Sequence, residues 1–160
     1  GLDPGSKTCP DLAVQEEIVR AQLRLANQYG KPVVFHTPAT DKEKWIRKYF
    51  DLITQEKVNP AKVVIDHADA TVAGIIANLG GTAGISVQPW RNMTPESGAK
   101  IASECPYDKV LIDSDCSPFL SDPLSVPKTV HEMRRLGMSK GDINKIVFEN
   151  PCRIYNLDWK

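Results

Sequence analysis

Two histidines and two aspartates of this chain follow short apolar segments, at positions where strands of a parallel sheet would end. His36 and His67 each follow one such segment, and Asp113 and Asp115 follow another. Because the carboxyl ends of parallel strands meet at one edge of a sheet, we expect the four side chains to face one cavity. Neutral imidazoles with a carboxylate are the ligand set of zinc and related divalent ions in hydrolytic sites. The pattern predicts a metal site formed by His36, His67 and Asp115.

A simpler interpretation exists for each of these residues. A single histidine after a strand is more typical of a hydrogen-bonded core residue than of a metal ligand. The sequence separations match no local metal motif, so only a shared cavity would unite the three ligands. His131 lies among charged residues on a late predicted helix, which indicates a surface histidine.

The segments that must position these residues alternate between strands and helices. Apolar runs rich in β-branched residues predict four buried strands, at residues 33–35, 63–65, 83–87 and 110–112. Segments of helical period precede and separate them, and two more helices follow the last strand. This order predicts a parallel α/β sheet, either half of an eight-stranded (β/α) barrel or a small open doubly wound sheet. None of the predicted strands is followed by a glycine-rich turn of the dinucleotide or P-loop type.

Local signals define several helix boundaries. The first helix is predicted over about residues 11–29, with Val14, Ile18, Ala21 and Leu25 as its buried stripe. Thr40 and Glu43 predict a capping box for the second helix. Thr94 as N-cap and Pro95 at the first helical position predict the start of the fourth.

Composition limits the class of protein. With 160 residues and 41% hydrophobic content, the chain can bury the core of one domain. Its 20 basic and 20 acidic side chains balance, so net charge gives no reason to expect avid nonspecific binding of nucleic acid. The sequence has neither a membrane-length apolar run nor a secretory signal, and its four cysteines are too sparse for a disulfide framework. We expect a soluble cytoplasmic protein with reduced thiols.

With these residues considered, the chain resembles the TatD-like branch of the metal-dependent amidohydrolase superfamily over nearly its whole length. His36 and His67 match the family's two downstream metal histidines, and Asp115 matches the aspartate of its Glu-Thr-Asp motif. The opening Gly1-Leu2-Asp3 resembles the end of the family's Gly-Glu-Ile-Gly-Leu-Asp strand, and residues 149–154 are similar to its closing Asn-Pro segment.

The resemblance implies that residues 1–160 are a single partial domain, the C-terminal half of a TIM-type (β/α)8 barrel. The N-terminal half would add a His-x-His pair and a glutamate, giving a site for up to two divalent ions, with zinc favoured over manganese or magnesium. A second copy of this chain is the alternative partner that would cover the open sheet edges. Ala68-Asp69-Ala70 departs from the residues that follow the second histidine in many relatives.

The predicted chemistry is hydrolysis by a metal-activated water. Asp115 is the candidate for both metal ligand and proton acceptor. Asp113 is either a substrate-orienting group or an ordinary residue at the end of a strand. Trp90 and Arg91 follow the third strand, where an indole could stack on a base and a guanidinium could bind phosphate. The expected substrate is a phosphodiester bond of DNA; alternatives are a small amide, lactone or phosphotriester, or no reaction at all, in an interaction module.

Overall fold

The structure, a computed structural model, describes residues 1–5, 8–117 and 121–158, with the side chain of Arg91 outside the described part. Within these residues, four strands alternate with helices. The helices are α1 (Leu12–Gln28), α2 (Lys42–Gln55), α3 (Ala73–Asn78), α4 (Pro95–Glu104), α5 (Ser125–Arg135), α6 (Lys140–Asn144) and α7 (Asn150–Tyr155). The strands are β1 (Val33–Phe35), β2 (Val63–Ile65), β3 (Thr82–Ser86) and β4 (Val110–Asp113), and a π-helical turn, Lys145–Glu149, joins α6 to α7.

The sheet is parallel throughout and its strands lie in sequence order, β1-β2-β3-β4. A doubly wound sheet reverses its strand order at a switch point, whereas a barrel adds each new strand beside the previous one. The observed order is therefore that of a (β/α) barrel and excludes the doubly wound alternative for the strands described.

The two faces of the sheet have different environments. Residues such as Phe35, Ile65 and Ile85 point into the main core, which they share with the helices. On the opposite face, Val64 and Leu111 pack against Ile154 of α7 in a small separate cluster. Val34 is also on this face and is 48% exposed, although it lies in the middle of a strand. We call this second face, which carries Val34, Val64 and Leu111, the inner face of the sheet. The described residues cover it only in part.

The N-terminal helix corrects one sequence prediction. The four residues assigned to its buried stripe, Val14, Ile18, Ala21 and Leu25, are all exposed, whereas Val19 and Leu23 are buried. The helix is apolar on more than one face, so its sequence alone does not determine which face meets the sheet.

The start of α2 corrects a second prediction. Asp41, and not Thr40, precedes the helix, and Asp41 adopts a left-handed conformation with φ 52° and no side-chain cap. The predicted capping box between Thr40 and Glu43 is therefore wrong. The predicted start of α4 is confirmed, because Pro95 is its first residue and Thr94 Oγ1 accepts a hydrogen bond from Ser97 N at 3.2 Å.

Asn150 connects α7 to the beginning of β4. Its side chain is 2% exposed, and its Nδ2 donates to the carbonyls of Tyr107 and Val110 at 2.7 and 2.8 Å.

Asn150→Ala would leave two carbonyls without these donors, so we expect the free energy of unfolding to fall by about 2–4 kcal/mol. Urea denaturation measures the change. Asn144→Ala, which removes an exposed bond to Glu149, is the control and should cost much less. Equal effects of the two substitutions would contradict this role of Asn150.

Candidate metal centre

The carboxyl ends of all four strands carry polar side chains that meet at one edge of the sheet. His36 follows β1, Asp66 and His67 follow β2, and Ser86 ends β3. Asp113 ends β4, and Asp115 follows two residues later. Side chains in a strand alternate between faces, and the strand pairing places Ser86 beside Asp113. The parallel register therefore assembles residues that are far apart in sequence.

The two histidines are in direct contact. His36 Nδ1 lies 2.9 Å from His67 Nε2, and the rings meet edge to face, with their centroids 4.6 Å apart. Ligand atoms of one zinc ion each lie ~2.0–2.2 Å from the metal, so two ligands of a shared ion are separated by no more than about 5 Å. The observed separation of the two nitrogens falls within this limit.

His67 occupies an unusual backbone conformation. Its φ is 58°, in the left-handed region, where a residue other than glycine incurs a cost of roughly 1–2 kcal/mol. Such a conformation persists only where surrounding contacts enforce it. Asp66 Oδ1 provides one such contact by accepting a hydrogen bond from His67 N at 2.8 Å.

Ser86 orients the His67 ring. Its hydroxyl donates to Asp66 Oδ1 at 2.8 Å, and its oxygen lies 2.8 Å from His67 Nδ1. Because a hydroxyl has one proton to donate, the Ser86 oxygen must accept from Nδ1–H. His67 Nε2 then carries a lone pair and faces His36. This is the tautomer in which Nε2 can bind a metal while a hydrogen bond fixes the other nitrogen.

Asp115 is the third predicted ligand. Its Oδ2 lies 4.0 Å from His67 Nε2, and its side chain is 37% exposed. Its backbone is also left-handed, with φ 40°. Two contacts hold it: Asp115 N donates to Asp113 Oδ1 at 3.1 Å, and Asp115 O accepts from the buried amide of Gln88.

Asp113, at the end of β4, and Asp66, just after β2, form a carboxyl pair. Burial, followed by the charge of Asp66, raises the pKa of Asp113 to about 7. Asp113 can thus retain a proton near neutral pH while its Oδ1 supports the Asp115 loop. This contact agrees with the structural interpretation of Asp113, and its predicted contact with substrate stays a prediction.

Asp66, Ser86 and Gln88 were not predicted to take part in the site. Asp66 and Ser86 each follow the preceding inner-face residue by two positions, so strand alternation was the signal that could have identified them. Gly84, also on the inner face, makes room for this group: a Cβ there would lie 2.9 Å from Asp66 Oδ1 and 3.1 Å from Val64 Cγ1.

Two cavities open at this edge of the sheet. One of about 330 Å³ is lined by His67, Ser86, Lys42, Trp90 and Met93, among others. The other, of about 370 Å³, lies on the inner face of the sheet between Asp113, Asp115 and Tyr155. Trp90 is half exposed at the first cavity. Arg91 ends the 3₁₀ helix Pro89–Arg91, and its side chain lies outside the described part of the chain.

A larger groove, of about 1020 Å³, runs along α2. Three of its cations are paired with carboxylates, in the pairs Lys42–Asp69, Arg47–Glu43 and Lys48–Glu16. These charges are largely compensated locally, and the groove contains no histidine. We therefore place the chemistry at the two smaller cavities at the strand ends.

The donor set at the strand ends fits a divalent metal in its chemistry. It combines two imidazoles with the carboxylate of Asp115, and the Asp66 carboxylate lies 3.8 Å from His67 Nε2. Within the described residues, however, no group of three or more histidine, cysteine, aspartate or glutamate side chains is arranged closely enough to hold an ion. The assignment of His36, His67 and Asp115 as joint ligands stays a prediction.

Comparisons with known proteins agree with the chemistry of these residues. The family described as TatD related DNase matches residues 1–156. An uncharacterized metal-dependent hydrolase of Methanocaldococcus jannaschii is 27% identical over 144 residues, covering 89% of this chain and 56% of that protein.

Solved structures show the same fold. A TatD-like protein of Archaeoglobus fulgidus has a TM-score of 0.71 at 19% identity, covering 91% of this chain and 55% of its own. The phosphotriesterase homology protein of Escherichia coli, complexed with phosphate in its active site, has a TM-score of 0.75 at 17% identity. The match covers 97% of this chain and 57% of that protein. This chain spans little more than half the length of these relatives, as expected for part of a TIM-type barrel.

Proposed function

This chain belongs to the TatD-related DNase family of metal-dependent hydrolases, and on that premise we propose that it forms the C-terminal half of a hydrolytic active site. The observation that carries the proposal is the contact between His36 and His67, with Asp115 at the same edge of the sheet. Family membership supports metal-dependent hydrolysis, and the details below are our proposal.

His36, His67 and Asp115 would hold a divalent ion. When bound, the ion supplies Lewis-acid activation of the attacking water and of the bond to be cleaved. Asp115 would accept the proton of the attacking water, because its carboxylate lies at the same edge of the sheet as the two histidines. Ser86 and Asp66 keep Nε2 of His67 available as a ligand, and Asp113 supports the loop that carries Asp115. Zinc suits this donor set best, with manganese or magnesium as alternatives.

We propose a phosphodiester bond of DNA as the substrate. The family description and the half-exposed indole of Trp90 support this choice, because an indole can stack on a base. Arg91 would bind phosphate. The competing substrate is a small amide, lactone or phosphotriester, which the resemblance to a phosphotriesterase homology protein favours.

A substrate panel distinguishes these activities. Single- and double-stranded DNA ends, a lactone, an amide and a phosphotriester are assayed with zinc, manganese or magnesium added to the metal-free full-length protein. Metal-dependent release of nucleotides supports the nuclease, and turnover of the small substrates alone supports the alternative. No hydrolysis of any substrate with any metal would favour a catalytically silent interaction module.

The free cysteines bear on location. Cys9, Cys105, Cys116 and Cys152 are all unpaired. Free thiols are typical of a reducing compartment, so the proposal includes a cytoplasmic enzyme. In the described part of the chain, no helix is long and apolar enough to cross a bilayer.

We further propose that a second half-barrel covers the inner face of this sheet. The 48% exposure of Val34 and the cavity between Asp113 and Tyr155 support this, because both lie where an eight-stranded barrel is filled. The partner would be an N-terminal half supplying a His-x-His pair and a glutamate for a second ion, or another copy of this chain.

Residues 1–160 purified alone should therefore associate or aggregate, since β1 and β4 leave sheet edges without strand partners in the described chain. Light scattering after gel filtration should give a mass above that of one chain. Metal-dependent hydrolysis should be weak beside that of a complete barrel. A stable monomer with full activity would contradict both the partial barrel and the divided site.

A further inference from the structure

Lys42, the first residue of α2, lies unexpectedly close to the candidate metal centre. Its Nζ donates to the backbone carbonyl of His67 at 2.8 Å and forms an ion pair with Asp69 Oδ2 at 2.7 Å. The Lys42 and Asp69 side chains are 20% and 31% exposed, so the pair is partly shielded from water. Lys42 also lines the cavity that His67 and Trp90 share.

Helix formation does not explain a lysine at this position. The N-terminal turn of a helix carries positive partial charge, so a cation there opposes the helix dipole. Lys42 instead makes its contacts with the loop after β2, where His67 has its left-handed backbone.

The same helix holds the other histidine. Tyr49 lies seven residues after Lys42, which places both on one side of α2. The buried hydroxyl of Tyr49 lies 3.0 Å from the backbone carbonyl oxygen of His36 and 3.2 Å from that of Leu2, and it can donate its proton to either. One helix side thus contacts the backbone carbonyls of both histidines.

We propose that Lys42, held by Asp69, is a positioning residue that maintains the left-handed backbone of His67 and thereby directs its ring at His36. The peptide of His67 is held from both sides: Asp66 Oδ1 accepts from its N–H, and Lys42 donates to its carbonyl. Removal of the Lys42 ammonium group takes away one of these two contacts, so the left-handed φ of His67 is less firmly held. The ring then has an easier route out of the geometry that Ser86 and His36 require.

This inference rests on the proposed function, because it concerns a candidate ligand of the metal. In the full-length protein, Lys42→Met keeps the length of the side chain and removes its charge. We expect the affinity for cobalt or zinc, measured by chelator competition, to fall about 10- to 100-fold, as is typical when a group supporting a ligand is lost. The visible spectrum of the cobalt-loaded protein should change, and kcat should fall more than KM rises.

Three variants separate positioning from general stability. Lys42→Arg keeps the charge and should restore much of the affinity. Lys44→Met, which removes a cation from the face of the Trp45 ring, is the matched control and should leave affinity unchanged. In a His67→Ala background, Lys42→Met should have no further effect on metal affinity, because the residue that it positions is absent.

A crystal structure of metal-free Lys42→Met tests the inference independently of function. We expect residue 67 to leave the left-handed region or its ring to turn from His36. If φ and ring position are unchanged, or if metal affinity equals that of the wild type, the inference is wrong. If the wild-type protein binds no metal and hydrolyses nothing, the proposed function fails. The backbone conformation of residue 67 in the crystal structure of the Lys42→Met variant still decides whether Lys42 positions it.

Discussion

Asp115→Asn should lower kcat by about 10²- to 10⁴-fold, the range that general acid–base catalysis supplies. The amide oxygen of asparagine can still contact a cation, but it cannot accept the proton of water. With the metal site saturated, we therefore expect KM to change much less than kcat. Steady-state kinetics with saturating metal measures this difference.

Asp51→Asn provides the control for Asp115. Asp51 is an exposed carboxylate on α2. Its substitution removes the same charge away from the strand ends, so kcat should stay close to that of the wild type. Near-normal kcat for Asp115→Asn would exclude Asp115 as the base, and an equal loss in both variants would indicate a nonspecific effect of charge.

His67→Ala should weaken zinc binding by at least about 100-fold, since it removes a proposed ligand and not only a group that supports one. His36→Ala should have a similar effect, because His36 Nδ1 lies 2.9 Å from His67 Nε2 and both nitrogens can contact one ion. Isothermal titration of the metal-free protein gives both affinities. Circular dichroism verifies that the variants retain their secondary structure.

The chain contains three histidines, and the third is the matched control. His131 is exposed on α5. His131→Ala should therefore bind zinc as the wild type does. Unchanged zinc affinity in His67→Ala would remove this residue from the ligand set.

The strands were predictable because burial dominates their sequence. The predicted limits of the first two strands are those observed, since Val33–Phe35 and Val63–Ile65 are short apolar runs with polar residues after them. The third strand begins and ends one residue earlier than predicted, and the fourth extends one residue beyond its predicted end. The barrel-type strand order followed from no single segment, because it depends on pairing between strands.

The first helix shows where sequence reasoning failed. Gln15 is buried, and its side chain bonds to Asp3 N, Asp3 O and Pro10 O. A glutamine can occupy a buried position when its polar atoms are satisfied in this way. Hydrophobic periodicity does not detect such a residue, and it therefore selected the wrong face of the helix.

The candidate site was predictable in its residue types and not in its contacts. Polar residues at strand ends identified His36, His67 and Asp115. The left-handed conformation of His67 and the bond from Lys42 depend on loop geometry and on a helix far away in sequence. Such contacts require the folded arrangement, because no spacing rule connects residue 42 to residue 67.

The central claim is that His36, His67 and Asp115 bind one divalent ion. Crystals of the full-length protein grown with zinc, measured at the zinc absorption edge, test this claim most directly. We predict an anomalous peak ~2.0–2.2 Å from a ring nitrogen of each histidine and from a carboxylate oxygen of Asp115. A zinc ion bound elsewhere, with either imidazole directed away from it, would contradict the account.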